Sequence, residues 1–141
     1  MAFTLGWPMC SKALVGCWKL QDWYVITPAG NKQPYTQEDL GGFLHYGADG
    51  QMAVAIYEEN TAHLHTSYSG PYEWDGSAAR HSPVAGFPPP DPDVTKVRFL
   101  AIDGSSMVME TPWISESEGS VKYQLKWLKV NDGNSTERNL K

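Results

Sequence analysis

The pair Asp-Gly occurs four times in the chain, at positions 49–50, 75–76, 103–104 and 132–133. Both residues tolerate a positive φ, so this pair between two runs of alternating apolar residues is a strong signal for a tight β-hairpin turn. The first three pairs therefore predict three hairpins, which join Gly42–Ala48 to Gln51–Glu58, Ser67–Trp74 to Ser77–His81, and Thr95–Ile102 to Ser105–Thr111. The fourth pair follows the last predicted strand and is expected to begin a tail.

Two more predicted strands flank this set, at Leu14–Thr27 and Val121–Val130. In the second, apolar residues alternate with lysine and glutamine, which is typical of an antiparallel strand with one buried face. Helical patterns are short, and the best of them is a single turn within Tyr35–Gly42, with Thr36 as its cap. About eight antiparallel strands predict an all-β closed barrel or sandwich, and a barrel of that size has room for one small ligand.

The segment Ser82–Val94 interrupts this pattern with five prolines. Proline lacks the N–H group that a central strand needs, so the segment is not expected to be one. A connection of this length is either a rigid crossover on the surface or a loop at the mouth of a binding site, and the sequence leaves both open.

Charge and composition argue against several classes of function. The net charge is −5 and no basic run is present, so we expect neither nucleic acid nor a membrane surface as a partner. No apolar run approaches the roughly 20 residues of a membrane span, and the first residues lack the pattern of a secretory signal. We expect a cytoplasmic protein with Cys10 and Cys17 as free thiols. Its one domain would span residues 13–130, between an N-terminal extension (1–12) and a C-terminal tail (131–141).

Five stretches follow one another in a recognisable order: "LVGCWKLQDW", "GGFLHYGADGQMAV", "YSGPYEWDG" with His81 just beyond, "KVRFLAIDGSSMVMETP" and "LKWLKV". Together they cover roughly residues 13 to 130 and resemble the lipocalin-like domain family of bacteria and fungi. The resemblance implies a small up-and-down antiparallel β-barrel around a central apolar cavity. The positions that match the family's pattern are Gly16 and Trp18 at the barrel floor, Tyr46 and Gly50 at the second strand and its turn, Gly70 and Tyr72 in a Gly-x-Tyr motif, and His81 and Arg98 as recurring polar residues.

The functions of that family are mixed. Some members in fungal biosynthetic clusters resemble cyclases or isomerases that fold a reactive polyketide or terpenoid intermediate. The proline-rich segment after His81 departs from the family's pattern, which has a plainer strand and turn at this place. The resemblance therefore implies a fold more sharply than a chemistry.

Asp22 is the first candidate for catalysis. The chain has no nucleophile elbow, phosphate loop or dinucleotide fingerprint, so any activity is expected from polar side chains inside the barrel. Strand alternation from Trp18 puts Asp22 and Tyr24 on the inner face. A carboxylate in an apolar cavity has a raised pKa that suits acid/base work near neutral pH. A bulge in the strand would instead turn Asp22 to solvent.

Arg98 and His45 are the other candidate catalytic residues. Arg98 faces the cavity if Leu100 belongs to the inner face of its strand, and is a solvated charge if Val97 does. A buried arginine needs an anionic partner, which is either a carboxylate such as Asp22 or an oxygen of a ligand. His45 is either a proton shuttle or a structural histidine.

The remaining expectations concern ligands. His63 and His65 share a strand face, but two ligands without a third make a poor metal site, so we expect no metal and no cofactor. The partner expected is a small hydrophobic organic molecule. Its predicted binding set is Trp18, Leu20, Tyr24, Tyr46, Met52, Tyr72, Trp74, Met107, Met109, Tyr123 and Leu125.

Three functions compete on these grounds. The favoured one is a cofactor-free cyclase or isomerase that positions a polyketide- or terpenoid-like intermediate and moves one proton, for example in closing an oxygen ring. The second is a non-catalytic intracellular carrier of a lipophilic molecule. The third is a barrel filled by its own side chains, with Trp23 and Trp113 outside in a homo-oligomer interface.

Overall fold

A computed structural model describes residues 12–131, which contain strands and turns and no helix. Residues 1–11 and 132–141 lie outside the described residues, and with them most of the predicted extension, the tail, Cys10 and the fourth Asp-Gly pair. The strands are β1 (Gly16–Ile26), β2 (Lys32–Pro34), β3 (Leu40–Tyr46), β4 (Gln51–Glu58), β5 (Leu64–Trp74), β6 (Ala78–His81), β7 (Ala85–Phe87), β8 (Lys96–Asp103), β9 (Ser106–Glu110), β10 (Ile114–Glu116) and β11 (Gly119–Asn131).

Eight of these strands form a closed antiparallel barrel. The order around the barrel is β1, β3, β4, β5, β6, β8, β9 and β11, and β11 pairs again with β1 to close it. The short strands β2, β7 and β10 pair with β1, β5 and β11 respectively. The all-β barrel expected from the sequence is therefore confirmed.

The three predicted hairpins are present. They join β3 to β4, β5 to β6 and β8 to β9, with an Asp-Gly pair at each turn. Gly50, Gly76 and Gly104 have φ values of 86°, 100° and 62°. At the second turn, the carboxylate of Asp75 accepts backbone N–H groups from residues 77 and 78, which lowers its pKa. These positive φ values and side-chain contacts explain why Asp-Gly marks each turn.

The single helical turn expected within Tyr35–Gly42 is wrong. Thr36 does accept the N–H of Glu38 at 3.2 Å, but the chain then enters β3. Gly41 and Gly42 lie inside this strand and end no helix. A Cβ at position 42 would meet the backbone carbonyl of Ala55 at 2.8 Å, so close strand packing accounts for that glycine.

Gly16 and Trp18 close one end of the barrel. Gly16 has a φ of 140°, a conformation that side chains rarely permit, and the next inward residue is Trp18. The Trp18 ring is completely buried, and its indole N–H donates to the carbonyl of Leu14 at 2.9 Å. The Lys129 ammonium lies 5.3 Å from the centre of that ring. This end of the barrel is packed solid, as a floor.

The proline-rich segment runs along β5 as a crossover. Its strand β7 pairs with residues 67–69, while β6 pairs with residues 72–74 of the same strand. Between them the carbonyl of Ser82 comes so close to Gly70 that a Cβ there would collide with it. Gly70 therefore gives the backbone room to cross from one pairing to the other.

Candidate functional site

The barrel encloses a cavity of about 170 Å³ above the floor. Its walls come from strands all round the barrel, and the apolar part consists of Leu44, Val54, Ile56, Met109, Ile114, Leu125 and Trp127. One side is polar and carries Tyr68, His81, Lys96 and Arg98. An apolar chamber with a few converging polar groups is the usual form of a small-molecule site.

His81 is the centre of the polar side. Only 1% of its surface is exposed, and its Nε2 lies 2.6 Å from the hydroxyl of Tyr46. Its Nδ1 lies 2.8 Å from the hydroxyl of Tyr68. Burial lowers the pKa of His81 to about 3, and the positive charges of Arg98 and Lys96 act in the same direction. The imidazole is therefore neutral at physiological pH, so one ring nitrogen carries the N–H and donates a hydrogen bond while the other accepts one.

The two tyrosines that hold His81 are protonated across the physiological range. Burial raises the pKa of Tyr46 well above its ordinary value. Burial also raises the pKa of Tyr68, although the nearby Arg98 opposes the shift. Both hydroxyls therefore stay neutral and available as hydrogen-bond donors.

Lys96 and Arg98 lie on the inner face of β8. Leu100, two residues further along, is buried, so the alternative that turned Arg98 inward is the one the structure adopts. In register, Lys96 is opposite His81 and Arg98 is opposite Ala79. The guanidinium donates to the carbonyl of Val97 at 2.9 Å. Neither cation forms an ion pair within residues 12–131.

Aromatic side chains surround the other end of the cavity. Trp23 stacks on Tyr35, with ring centres 3.9 Å apart, and meets the edge of Tyr123. Behind them, Nε2 of His65 lies 2.9 Å from a carboxylate oxygen of Glu58, and this contact lowers the pKa of the carboxyl group. These rings form the mouth of the cavity, opposite Trp18.

The predicted site residues divide into three groups. Arg98, Met109, Tyr123 and Leu125 line the cavity. A second group is buried in the core without lining it, and consists of Trp18, Leu20, Tyr46, Met52, Tyr72, Trp74 and Met107. The third group, Asp22, Tyr24 and His45, lies outside the barrel.

A bulge in β1 corrects the expected orientation of Asp22. Leu20 pairs with Trp127 and Asp22 with Lys126, so Gln21 is an extra residue in the strand. The inward alternation is thereby shifted by one position. Asp22 becomes exposed, and Trp23, which was expected outside, packs against the core instead.

The same shift turns Tyr24 outward. The ammonium of Lys32 lies 4.4 Å from the centre of its ring, and that of Lys126 lies 5.7 Å away. A tyrosine between two lysines at the surface cannot contact a molecule in the cavity, so its expected binding position is also corrected.

His45 faces a hollow on the outer surface of the barrel. This hollow measures about 510 Å³ and is more open than the interior cavity. Its lining includes Cys17, a free thiol whose pKa is raised by burial, and the half-exposed Phe43. The rest is mainly alanine and serine, and although Tyr68 borders this hollow as well, His81, Lys96 and Arg98 do not line it. We therefore place the candidate site inside, where His45 does not reach.

Sequence reasoning left three polar residues out of the predicted site. Tyr68 was recognisable on the same strand face as Tyr72 and Trp74, and Lys96 on the same face as Arg98. His81 matched a polar position of the family resemblance. What alternation could not show is that these residues converge, because that depends on the pairing of β5 with β6 and of β6 with β8.

Metal and membrane features are limited in the described part of the chain. Among residues 12–131, no three His, Cys, Asp or Glu side chains are placed to hold a metal ion. The rings of His63 and His65 meet edge to face, and His65 is engaged by Glu58. The same residues contain no helix that is long and apolar enough to cross a bilayer.

Comparison with known proteins supports the fold. No family model and no curated protein matches the sequence. The structure is similar to the crystal structure of a lipocalin-like protein from Bacteroides uniformis, with 15% identity, a TM-score of 0.52, and coverage of 84% of this chain and 99% of that one. A redesigned β-barrel also matches, with 12% identity, a TM-score of 0.44, and coverage of 86% and 95%. The chain has the lipocalin-like fold.

Proposed function

Starting from a lipocalin-like barrel with an interior cavity, we propose that this protein binds a small, largely apolar organic molecule inside the barrel. The observation that carries the proposal is the chamber itself, which has apolar walls and one polar side. Its volume of about 170 Å³ is below the 300 Å³ or more of a drug-sized pocket. A dry cavity of about 150 Å³ is large enough for benzene, so the expected ligand has about one ring.

The test measures the binding of benzamide, a neutral one-ring probe, by ligand-observed NMR. Thr66 lines the cavity, and Thr66→Trp places an indole in it. Its neighbour Ser67 lines the outer hollow, so Ser67→Trp is the matched control. We expect wild type and Ser67→Trp to bind benzamide and Thr66→Trp to lose it. Loss in Ser67→Trp alone would move the site to the outer hollow, and no binding by wild type would reject the proposal.

A cofactor-free cyclase or isomerase is the second candidate. The observation that favours it is the buried His81, whose two ring nitrogens are hydrogen-bonded to Tyr46 and Tyr68. The Tyr68 hydroxyl and the Arg98 guanidinium are donors that would polarise a carbonyl oxygen of the bound molecule. The expected reaction is addition of a hydroxyl to an enone within one molecule. A C–O bond forms, the alkene π bond is lost, and a proton moves from the hydroxyl to the carbon next to the carbonyl. Confinement would supply much of the rate increase.

The assay for this candidate uses a short linear ω-hydroxy enone that closes to an acetonyl tetrahydrofuran. Loss of the enone absorbance gives the rate, and an enantiomeric excess in the product shows that closure took place in a chiral site. Tyr68→Phe should abolish both effects, while Tyr57→Phe, on the outer face of β4, should leave them unchanged. A racemic product formed at the buffer rate would reject this chemistry and leave the binding proposal standing.

A further inference from the structure

The cavity carries positive charge and no described negative charge. Lys96 and Arg98 both line it, and no aspartate or glutamate is among its lining residues. His81 is neutral, so it does not offset the two cations. Lys96 and Arg98 are both half-buried at this cavity without a carboxylate partner, so the two charges repel each other unless an anion lies between them.

The carboxylates that form ion pairs in the described residues are paired with side chains other than Lys96 and Arg98. Within residues 12–131, Glu58 contacts His65, Asp75 contacts Arg80, and Glu110 contacts Lys122. None of these pairs includes a cation of the cavity. The neutralising group is therefore expected to come from a ligand.

The lowered pKa of Lys96 also indicates that the cavity favours an anionic ligand. Burial lowers its pKa, and the charge of Arg98 lowers it further. Arg98 cannot reduce the repulsion by losing its proton, since a guanidinium stays charged in proteins. An anion placed between the two would relieve their repulsion and restore the charge on the lysine.

The hydrogen bonds around Tyr68 also suit an anion. The charge of Arg98 acts to lower the pKa of Tyr68 against the effect of burial, so the guanidinium lies near that hydroxyl. When Nδ1 of His81 donates to the Tyr68 oxygen, Nε2 of His81 accepts a hydrogen bond from the Tyr46 hydroxyl. The O–H of Tyr68 is then left to donate to a ligand. A guanidinium has five N–H donors in a planar fork, of which few are used here, and that fork matches a carboxylate.

We propose that the cavity binds a small monocarboxylate, with its apolar body of about one ring against the aliphatic walls and its carboxylate between Arg98, Lys96 and the hydroxyl of Tyr68. This inference rests on the proposed function, because it specifies the ligand class of the same chamber. It requires no metal and no covalent step.

The experiment compares benzoate with benzamide, which have nearly the same shape and differ in charge. Titrations at neutral pH and low salt measure both affinities. We expect benzoate to bind wild type about tenfold more tightly, as one charge-assisted contact allows, and added salt to reduce the difference. Arg98→Gln should bring the two affinities together while benzamide binding persists.

Arg80→Gln is the matched control, since Arg80 is an exposed arginine on the neighbouring strand and pairs with Asp75. It should keep the wild-type preference for benzoate. If Arg98→Gln does not fold, Lys96→Gln replaces it, with the same expected loss of preference. Equal affinities in wild type, or a preference that survives the cavity substitutions, would overturn the inference and leave the binding proposal intact. Binding of neither probe would overturn both.

Discussion

His81 should make the barrel less stable as the pH falls below about 6.5. Its pKa drops from an ordinary 6.5 to about 3 in the folded protein, because burial disfavours the cation and two positive groups repel it. Between those values the unfolded chain binds a proton that the folded chain does not. The free energy of unfolding therefore decreases with falling pH, and the full stabilisation is present only above about pH 6.5.

The size of the effect follows from that interval. One proton changes the free energy of unfolding by about 1.4 kcal/mol per pH unit. The expected loss is about 2 kcal/mol between pH 7 and pH 5, and on the order of 5 kcal/mol over the whole interval. A domain of this size has about 5–15 kcal/mol in total, so His81 alone takes the protein a large part of the way to acid unfolding.

The assay is urea unfolding, followed by tryptophan fluorescence, at several pH values from about 7 down to about 5. This window avoids most of the carboxylate titration, since the pKa values of Asp75 and Glu110 are lowered. His81→Gln keeps a polar amide near the tyrosines but does not titrate, so its profile should be flatter by about 2 kcal/mol across the window. His45→Gln removes an exposed histidine and should follow wild type.

A parallel profile for His81→Gln and wild type would refute the reasoning, because it would mean that His81 gains its proton over the same pH range in the folded protein as in the unfolded chain. The NMR titration of the imidazole gives an independent reading that needs no variant. Its ring signals should stay constant through the same window.

Three other substitutions test the fold and the position of the site. Gly70→Ala should destabilise by about 2 kcal/mol, because the added methyl group meets the Ser82 carbonyl, and urea unfolding measures the loss. Trp18→Phe should cost about 2 kcal/mol in the same assay, through a void in the floor and the lost bond to Leu14. Asp22→Asn should leave benzamide affinity within about 0.5 kcal/mol of wild type in an NMR titration, because Asp22 is exposed outside the barrel.

Each of these has a control or a contrary outcome. Ser69→Ala, next to Gly70, and Trp113→Phe, at a tryptophan that is 49% exposed, should change stability little. A Gly70→Ala protein as stable as wild type would show that the crossover can shift to admit a side chain. A large loss of affinity in Asp22→Asn would return that residue to the site and contradict the bulge in β1.

The sequence predicted an all-β barrel or sandwich because its hairpins are locally encoded, and the resemblance to the lipocalin-like family favoured the barrel. Asp-Gly pairs specify turns through their own φ preferences, and alternation specifies which face of a strand is apolar. The barrel floor could also be predicted from the sequence, since Gly16 and Trp18 match a family motif and lie where that motif implies. These features depend on neighbouring residues in the chain.

The site was predicted less well because it depends on pairing across strands. The bulge at Gln21 reverses the alternation after Leu20, and no local pattern announces it. That one residue exchanged the expected places of Asp22 and Trp23. The meeting of Tyr68, His81 and Lys96 requires three strands in register, which the sequence of any single strand cannot express.

The seam between β1 and β11 governs when the protein can fold during synthesis. It pairs Cys17 with Asn131, so the two edges that close the barrel belong to the first and the last of the barrel strands to be synthesised. Until β11 emerges, β1 and β9 each present an edge without its partner, a surface prone to associate with other chains. The cavity also lacks a wall until then, because Tyr123, Leu125 and Trp127 belong to the last strand. Pairing of β11 with β1 is thus expected to complete the cavity and to remove the unpaired strand edges in the same step.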